Sequence, residues 1–132
     1  MQLVITKNQK EILSEHASKN KPNEACALLF GTTENDNLIV KEIFFTKNID
    51  ESKIHFTVSN DELIRGYKEA EEKKLEVVGI FHSHPDSEPY PSSTDIKFMK
   101  INPVSWLIFS GISSDFKAYG FDAEIFEIPI VT

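Results

Sequence analysis

The sequence has a single cysteine and lacks any long apolar run, and both absences restrict what the protein can be. Cys26 stands alone among 132 residues, so the chain can form no internal disulfide, cysteine-based zinc knuckle or P-C-x-x-C deaminase element. Nowhere do about 18 apolar residues follow one another, and the N-terminal residues lack the basic and apolar parts of a signal peptide. We therefore expect a cytoplasmic protein that does not enter a membrane.

Basic residues are fewer than acidic residues. Lys and Arg total 14 against 21 Asp and Glu, which gives a formal net charge of -7. Such a charge repels phosphate backbones and anionic lipids, so we expect neither nucleic acid nor a membrane surface as a partner. Hydrophobic residues make up 40% of the chain, which suffices for one core, and no repeat or linker interrupts it. We predict a single domain over residues 1–132.

Helical and strand patterns alternate along the chain. Apolar residues at helical spacing predict helices over 7–19 and 59–74, the second opening on the capping pattern of Ser59 and Glu62. Strands are predicted over 3–5, 25–30, 38–45, 76–84, 105–112, 116–121 and 123–131, with a hairpin turn over 33–37 and a short helix over 95–101. This order predicts an α/β domain with a mixed sheet flanked by helices.

Two histidines, His82 and His84, end an apolar strand in the stretch GIFHSHPDSEPYPSSTD, residues 79–95. Side chains alternate along a strand, so both imidazoles point to one side, with α-carbons roughly 6.6 Å apart, while Ser83 faces away. A catalytic zinc ion takes three protein ligands and leaves a fourth position for water. Asp95 is the candidate third ligand, because the intervening turn brings the chain back.

A structural interpretation of the same residues stays open. Ser92-x-x-Asp95 is also an ordinary helix-capping pattern, and a His-x-His pair occurs incidentally at strand ends. Taken together with the loop that joins them, the three residues favour a metal site. The other histidines carry no such pattern: His16 lies on the apolar stripe of the first helix, and His55 is expected to cap or line a loop.

The string His82-Ser83-His84, then seven residues, Ser92, two residues and Asp95, matches the H-S/T-H-x7-S-x2-D signature of the JAMM, or MPN-plus, metalloproteases. The run from Pro22 to Gly31 also resembles the P-x-E element of that family. The resemblance implies a curved, deaminase-like sheet and a zinc ion held by His82, His84 and Asp95. It further implies that Glu24 is the general base and that Ser92 is the oxyanion donor. Only the resemblance selects Glu24, since nothing in the spacing separates it from the other acidic residues.

The resemblance also implies a substrate class. Members of the family hydrolyse peptide or isopeptide bonds at the C-terminal Gly-Gly of ubiquitin-like β-grasp modifiers, so such a modifier or its conjugate is the expected partner. The two insertions that grip the modifier in larger eukaryotic relatives fall at 46–58 and 96–103, where this chain is short. That difference favours a prokaryotic, archaeal-type enzyme, and the chain is compatible with a homodimer.

Particular residues argue against most other interpretations of the motif. A peptidase that processes the C-terminus of a sulfur-carrier protein would use the same site and stays open. A non-catalytic MPN scaffold would have lost motif residues, yet all five are present, and a RadC-like protein would carry Asn in place of Ser83. A cupin motif could begin His82-x-His84-x3-Glu88, but Asp95 stands where its glycine is expected and no later histidine follows.

Overall fold

The computed structural model describes residues 1–50, 52 and 58–132, and within these ranges one eight-stranded sheet carries three helices. The elements are β1 (Leu3–Val4), α1 (Lys7–Asn20), β2 (Cys26–Glu34), β3 (Asn37–Thr46), α2 (Asn60–Glu72), β4 (Glu76–His84), α3 (Ser93–Ile101), β5 (Ser105–Ser110), β6 (Phe116–Asp122), β7 (Glu124–Ile128) and β8 (Ile130–Val131). None of the helices in these ranges has both the length and the apolar character needed to cross a bilayer. Part of the predicted 46–58 segment, including His55, lies outside the described residues.

The sheet is mixed, as the element order predicts. Its strand order is β7-β6-β5-β4-β2-β3-β1-β8. Parallel pairs join β4 to β5 and join β1 to both β3 and β8, while the remaining neighbours are antiparallel. Strand β4 therefore lies in the interior of the sheet between β2 and β5, which explains why it is apolar on both faces.

The sheet curls until its two end strands are separated by one residue of chain. Strand β7 pairs with β6 at one end of the strand order, β8 pairs with β1 at the other end, and only Pro129 joins them. The single strand predicted over 123–131 is therefore wrong, because proline has no N–H to donate to a ladder and the chain changes partner there. The predicted curvature is confirmed.

Alternate side chains of β2 enter two separate cores, one on each face of the sheet. Ala27 and Leu29 pack with Leu13 of α1, whereas Leu28 packs with Met99 of α3. All five side chains are at most 1% exposed. Burying one Leu or Met side chain stabilises the fold by about 1.5–3 kcal/mol, so the two cores hold α1 on one face and α3 on the other.

Two local predictions differ from the structure in detail. The hairpin turn predicted over 33–37 tightens to Asn35 and Asp36, whose φ angles of 51° and 67° suit the short polar side chains of Asn and Asp. At the start of α2, Ser59 Oγ accepts the N–H of Glu62 as predicted, but the Glu62 carboxylate accepts the N–H of Lys47. Glu62 thus ties α2 to the end of β3.

Candidate metal centre

The three predicted metal ligands, His82, His84 and Asp95, meet inside the protein. The Nε2 atoms of His82 and His84 lie 3.0 Å from each other, and each lies 3.0 Å from Asp95 Oδ2. None of the three residues is more than 3% exposed. A tetrahedral zinc ion with bonds of 2.0–2.1 Å spaces its nitrogen and oxygen ligands about 3.3 Å apart. Two imidazoles and a carboxylate at this spacing form a group able to bind a metal ion, and they suit a zinc-like cation.

The two histidines reach this point because they end the buried strand β4. His82 is in register with Cys26 of β2 and Ile108 of β5, and His84 is in register with Ser110 of β5. Ladder bonds on both sides fix the backbone, and strand alternation then sends both imidazoles to one face. The predicted common face of the histidines is confirmed.

Asp95 is both a helix cap and a member of the cluster. Ser92 N–H donates to Asp95 Oδ2 at 2.9 Å, and Asp95 N–H donates to Ser92 Oγ at 3.1 Å, which completes a capping box at the start of α3. The oxygen that accepts the Ser92 N–H also faces both imidazoles. The capping interpretation is therefore correct, and it does not compete with metal binding.

The tautomer of His84 is set by the loop that follows β4. His84 Nδ1 lies 2.8 Å from the carbonyl oxygen of Glu88, and a carbonyl can only accept. Nδ1 therefore carries the proton, and in the neutral ring the lone pair of Nε2 points into the cluster. A backbone carbonyl in this role is the usual support of a metal-binding histidine.

Charge in the cluster is distributed so that the carboxylate is ionised. Burial alone would raise the pKa of Asp95, but His82, the hydrogen bonds from both imidazoles and the Ser92 N–H together hold that pKa below its ordinary value. Burial lowers the pKa of His82, whereas for His84 burial is outweighed by the Asp95 carboxylate and the Glu88 carbonyl, which raise the pKa. A metal cation requires an anionic carboxylate and neutral imidazoles, so the ionised Asp95 is ready for a cation, and a bound ion would displace any proton that the two histidines hold toward Asp95.

Glu24 lies beside these three residues although it is distant in sequence. It precedes β2, is 2% exposed, and offers a carboxylate oxygen within 4.8 Å of the ligand atoms of His82, His84 and Asp95. Among the described residues, its Oε1 has no hydrogen-bond partner. Burial raises the pKa of Glu24 to about 8, with Asp95 adding to the shift and His84 opposing it. A buried carboxylate oxygen without a hydrogen-bond partner is costly, so it favours a proton or a nearby cation.

Two residues border the site without any signature in the sequence. The Trp106 ring meets the His82 ring edge-on, with centroids 5.8 Å apart, and Asn48 Nδ2 donates to the backbone carbonyl of Glu24 at 3.1 Å. Both contacts join distant parts of the chain, which no spacing rule along one strand or helix reveals. His16 bonds through Nε2 to the carbonyl of Cys26 and lies outside the cluster, as its position on the first helix predicts.

The chain belongs to the family described as prokaryotic homologs of the JAB domain, which it matches over residues 6–122. A desampylase from Pyrococcus furiosus is 40% identical over 96 residues, which are 73% of this chain and 65% of that protein. A CysO-cysteine peptidase from Mycobacterium tuberculosis is 32% identical over 95 residues, which are 72% of this chain and 64% of that protein. The matched region thus spans slightly less than two thirds of these curated relatives. The predicted family resemblance is confirmed.

Solved structures support the same assignment of fold. The solution structure of a Desulfitobacterium hafniense protein superposes with a TM-score of 0.88 at 30% identity, covering 98% of this chain and 91% of that one. The crystal structure of a JAB1/MPN domain protein from Archaeoglobus fulgidus superposes with a TM-score of 0.61 at 21% identity, covering 100% and 97%. The second likeness concerns the fold alone, and the predicted JAMM/MPN fold class is confirmed.

Proposed function

We propose that the protein is a zinc metallopeptidase that hydrolyses the peptide or isopeptide bond after the C-terminal Gly-Gly of a ubiquitin-like modifier. The observation that carries this proposal is the buried convergence of His82, His84 and Asp95 beside the Glu24 carboxylate. A relative named desampylase, 40% identical over the matched region, supports the modifier as the substrate class.

His82, His84 and Asp95 would hold the zinc ion, which when bound polarises a carbonyl and lowers the pKa of water to about 7. Glu24 takes a proton from the attacking water at its carboxylate and later delivers that proton to the departing amine nitrogen. Without a metal ion, burial raises the pKa of Glu24 to about 8, and a bound cation would lower that pKa and so favour the anionic carboxylate that accepts the proton.

Ser92 is the proposed donor to the oxyanion. Its Oγ already accepts the N–H of Asp95, which fixes the hydroxyl at the edge of the cluster and leaves its own hydrogen to donate. Removing one such donor typically lowers kcat on the order of a hundredfold or more. Capping and oxyanion binding are compatible, since one uses the oxygen as an acceptor and the other uses the hydrogen.

The zinc identity, a cytoplasmic location and a single-domain organisation belong to the same proposal. The nitrogen and carboxylate donors suit zinc, and the free thiol of Cys26 suits a reducing compartment. Strands from both ends of residues 1–132 pair with each other, since β1 lies beside β8, which supports one domain.

A second candidate function is cleavage of an amino acid from the C-terminus of a sulfur-carrier protein. The match to a CysO-cysteine peptidase favours it, and the same four residues would perform the reaction. The two functions differ only in which β-grasp protein is cleaved.

The test is intact-mass analysis of zinc-loaded protein incubated with β-grasp modifiers that carry C-terminal extensions or lysine-linked partners. We expect cleavage after Gly-Gly by the wild type and by Glu11→Gln, an exposed matched control on α1, and no cleavage after chelation or by Glu24→Gln. Cleavage of sulfur-carrier substrates alone would favour the second candidate. Zinc-loaded protein that cleaves no member of the panel would contradict both.

A further inference from the structure

Ser83 stands between the two candidate metal ligands, yet its side chain takes no part in the cluster. Strand alternation places it on the face of β4 opposite His82 and His84, and it is 2% exposed. The hydroxyl therefore cannot touch a substrate or a metal ion bound at the histidines. Any effect of Ser83 on the reaction has to pass through the residues that it contacts.

Those contacts are with the residue that follows Glu24. Ala25 N–H donates to Ser83 Oγ at 2.8 Å, and Ser83 N–H donates to the Ala25 carbonyl at 3.0 Å. The regular pairing of β2 with β4 ends one residue earlier, at Cys26 and His82. Ser83 thus extends the attachment of the two strands by one residue, and it does so with a side-chain oxygen in place of a backbone carbonyl.

The bond to Ser83 Oγ restrains the peptide group on which Glu24 is mounted. The N–H of Ala25 and the carbonyl of Glu24 belong to the same planar peptide unit, so fixing one fixes the other. That carbonyl accepts Asn48 Nδ2 at 3.1 Å, and Glu24 N–H donates to the Ser52 carbonyl at 2.6 Å. The backbone of Glu24 is therefore held on both sides of its α-carbon.

This backbone attachment matters because few polar contacts hold the Glu24 carboxylate in the ranges that the structure describes. Within the described part of the chain, Glu24 Oε1 has no hydrogen-bond partner that would hold it independently of the backbone, so a change in the direction of the Cα–Cβ bond moves the carboxylate with it. Among the described residues, three hydrogen bonds reach the two peptide groups that flank the Glu24 α-carbon, and the one from Ser83 comes from the strand that carries both histidines. Of these three bonds, it is the one that joins a peptide group of Glu24 to the strand of His82 and His84, beyond the backbone bond from Ser83 N–H to the Ala25 carbonyl.

We propose that Ser83 is a positioning residue, which fixes the Glu24 carboxylate relative to the metal ligands by accepting the Ala25 N–H. The catalytic consequence rests on the proposed function, whereas the structural link between Ser83 and Ala25 does not. Misplacing a reacting group by about 1 Å costs on the order of a hundredfold in rate, so even a small shift of this peptide unit is measurable.

The test compares Ser83→Ala with Ser83→Thr, which keeps the acceptor oxygen, and with Ser105→Ala as a matched control. Ser105 is also a buried serine, 3% exposed, and its Oγ donates to the Val78 carbonyl at 2.8 Å near the far end of β4. Ser105→Ala thus removes one buried hydrogen bond between a serine hydroxyl of β5 and the backbone of β4, away from Glu24. Amide hydrogen exchange is measured by NMR in metal-free protein, and zinc content, kcat and KM are measured in loaded protein.

We expect the Ala25 amide to exchange at least about tenfold faster in Ser83→Ala, and to be near wild type in Ser83→Thr and Ser105→Ala. In loaded Ser83→Ala we expect kcat to fall roughly 10–100-fold with KM and zinc content unchanged, and Thr to restore most of it. Unchanged Ala25 exchange, unchanged kcat, or a loss of activity that follows loss of zinc would overturn the proposal.

The design separates this proposal from the proposed function. If wild-type protein cleaves no modifier, the proposed function fails, while the exchange of the Ala25 amide still decides whether Ser83 holds that peptide. If Ser83→Ala does not fold, Ser83→Val and Ser83→Thr provide a pair of equal shape that differs in the acceptor oxygen. A small cavity lined by Ser83 and Phe109 lies beside this position. Ser83→Val must then show the faster exchange of the Ala25 amide and the lower kcat, and Ser83→Thr must show neither. Equal exchange and equal kcat in the two variants would overturn the proposal.

Discussion

His84 Nδ1 lies 2.8 Å from the carbonyl oxygen of Glu88, so the loop that leaves β4 also orients one of the candidate ligands carried by that strand. The contact uses the backbone of Glu88, whose side chain is exposed. This relationship separates the present site from a cupin-type site, in which the Glu88 carboxylate itself would bind the metal.

Replacing Glu88 by Ala is therefore expected to leave metal binding intact. The carbonyl that supports His84 remains, so zinc affinity should change less than about threefold, well below the 10–100-fold that loss of a supporting partner costs. Competition with a chromophoric chelator measures the affinity. A large loss of zinc in Glu88→Ala would mean that the carboxylate, and not the carbonyl, serves the site.

Replacing Asp95 by Asn is expected to separate its two roles. The amide oxygen can still accept the Ser92 N–H, so α3 keeps its cap and the protein folds, but the anionic ligand is lost. Zinc affinity should fall by more than about 100-fold, beyond the cost of losing a supporting bond.

The single tryptophan gives a readout for this variant, because the Trp106 ring is 5.8 Å from the His82 ring. Cobalt bound at the cluster should quench Trp106 fluorescence saturably in the wild type, and Asp95→Asn should shift the titration to much higher cobalt. If cobalt quenched Asp95→Asn at the same concentrations as the wild type, Asp95 would be excluded as a ligand.

The stability of chelator-treated protein should depend on pH through Glu24. Burial raises its pKa from 4.5 to about 8, so folding favours the protonated form. The folded state is therefore penalised progressively as pH rises from about 4.5 to about 8, and the penalty reaches a few kcal/mol. Glu24→Gln removes it.

Urea unfolding with chelator present checks this difference. The wild type and Glu24→Gln should have similar free energies of unfolding at pH 5, and Glu24→Gln should be the more stable at pH 8. An advantage of equal size at both pH values would show that the Glu24 carboxylate is not the group responsible.

Cys26 should be inert in the native protein despite standing two residues from Glu24. The thiol is buried, accepts the Thr46 hydroxyl at 3.1 Å, and has its pKa raised by burial to about 12, so it stays protonated at neutral pH. Native protein treated with iodoacetamide should keep its mass and its peptidase activity, whereas urea-unfolded protein should gain one adduct. Rapid native labelling with loss of activity would point to a thiol mechanism.

The sequence allows the metal cluster to be predicted because its members are joined by local structure. His82 and His84 share a face by strand alternation. Asp95 follows after a single loop, in the first turn of the helix that Ser92 caps. Glu24 is 58 residues from His82 in the chain, so its place depends on the pairing of β2 with β4, and only the family resemblance identified it.

Contacts that depend on long-range strand pairing could not be predicted from the sequence. The link between Ser83 and Ala25 and the contact of Trp106 with His82 exist only once strands are aligned side by side. The break at Pro129 was readable in principle, since proline interrupts a ladder. No local sequence pattern shows that the chain changes partner strand at Pro129. Strand β7 before it pairs with β6, whereas β8 after it pairs with β1.

The proposed metallopeptidase mechanism is tested most directly with one preparation of Glu24→Gln, assayed beside the wild type for zinc content and for cleavage of a Gly-Gly-linked modifier conjugate. Glutamine keeps the size of the side chain and removes the group that exchanges the proton, while the three ligand atoms remain. This mechanism predicts about one zinc per chain in both proteins, with kcat reduced at least 100-fold in Glu24→Gln. Near-normal turnover by zinc-loaded Glu24→Gln would contradict it.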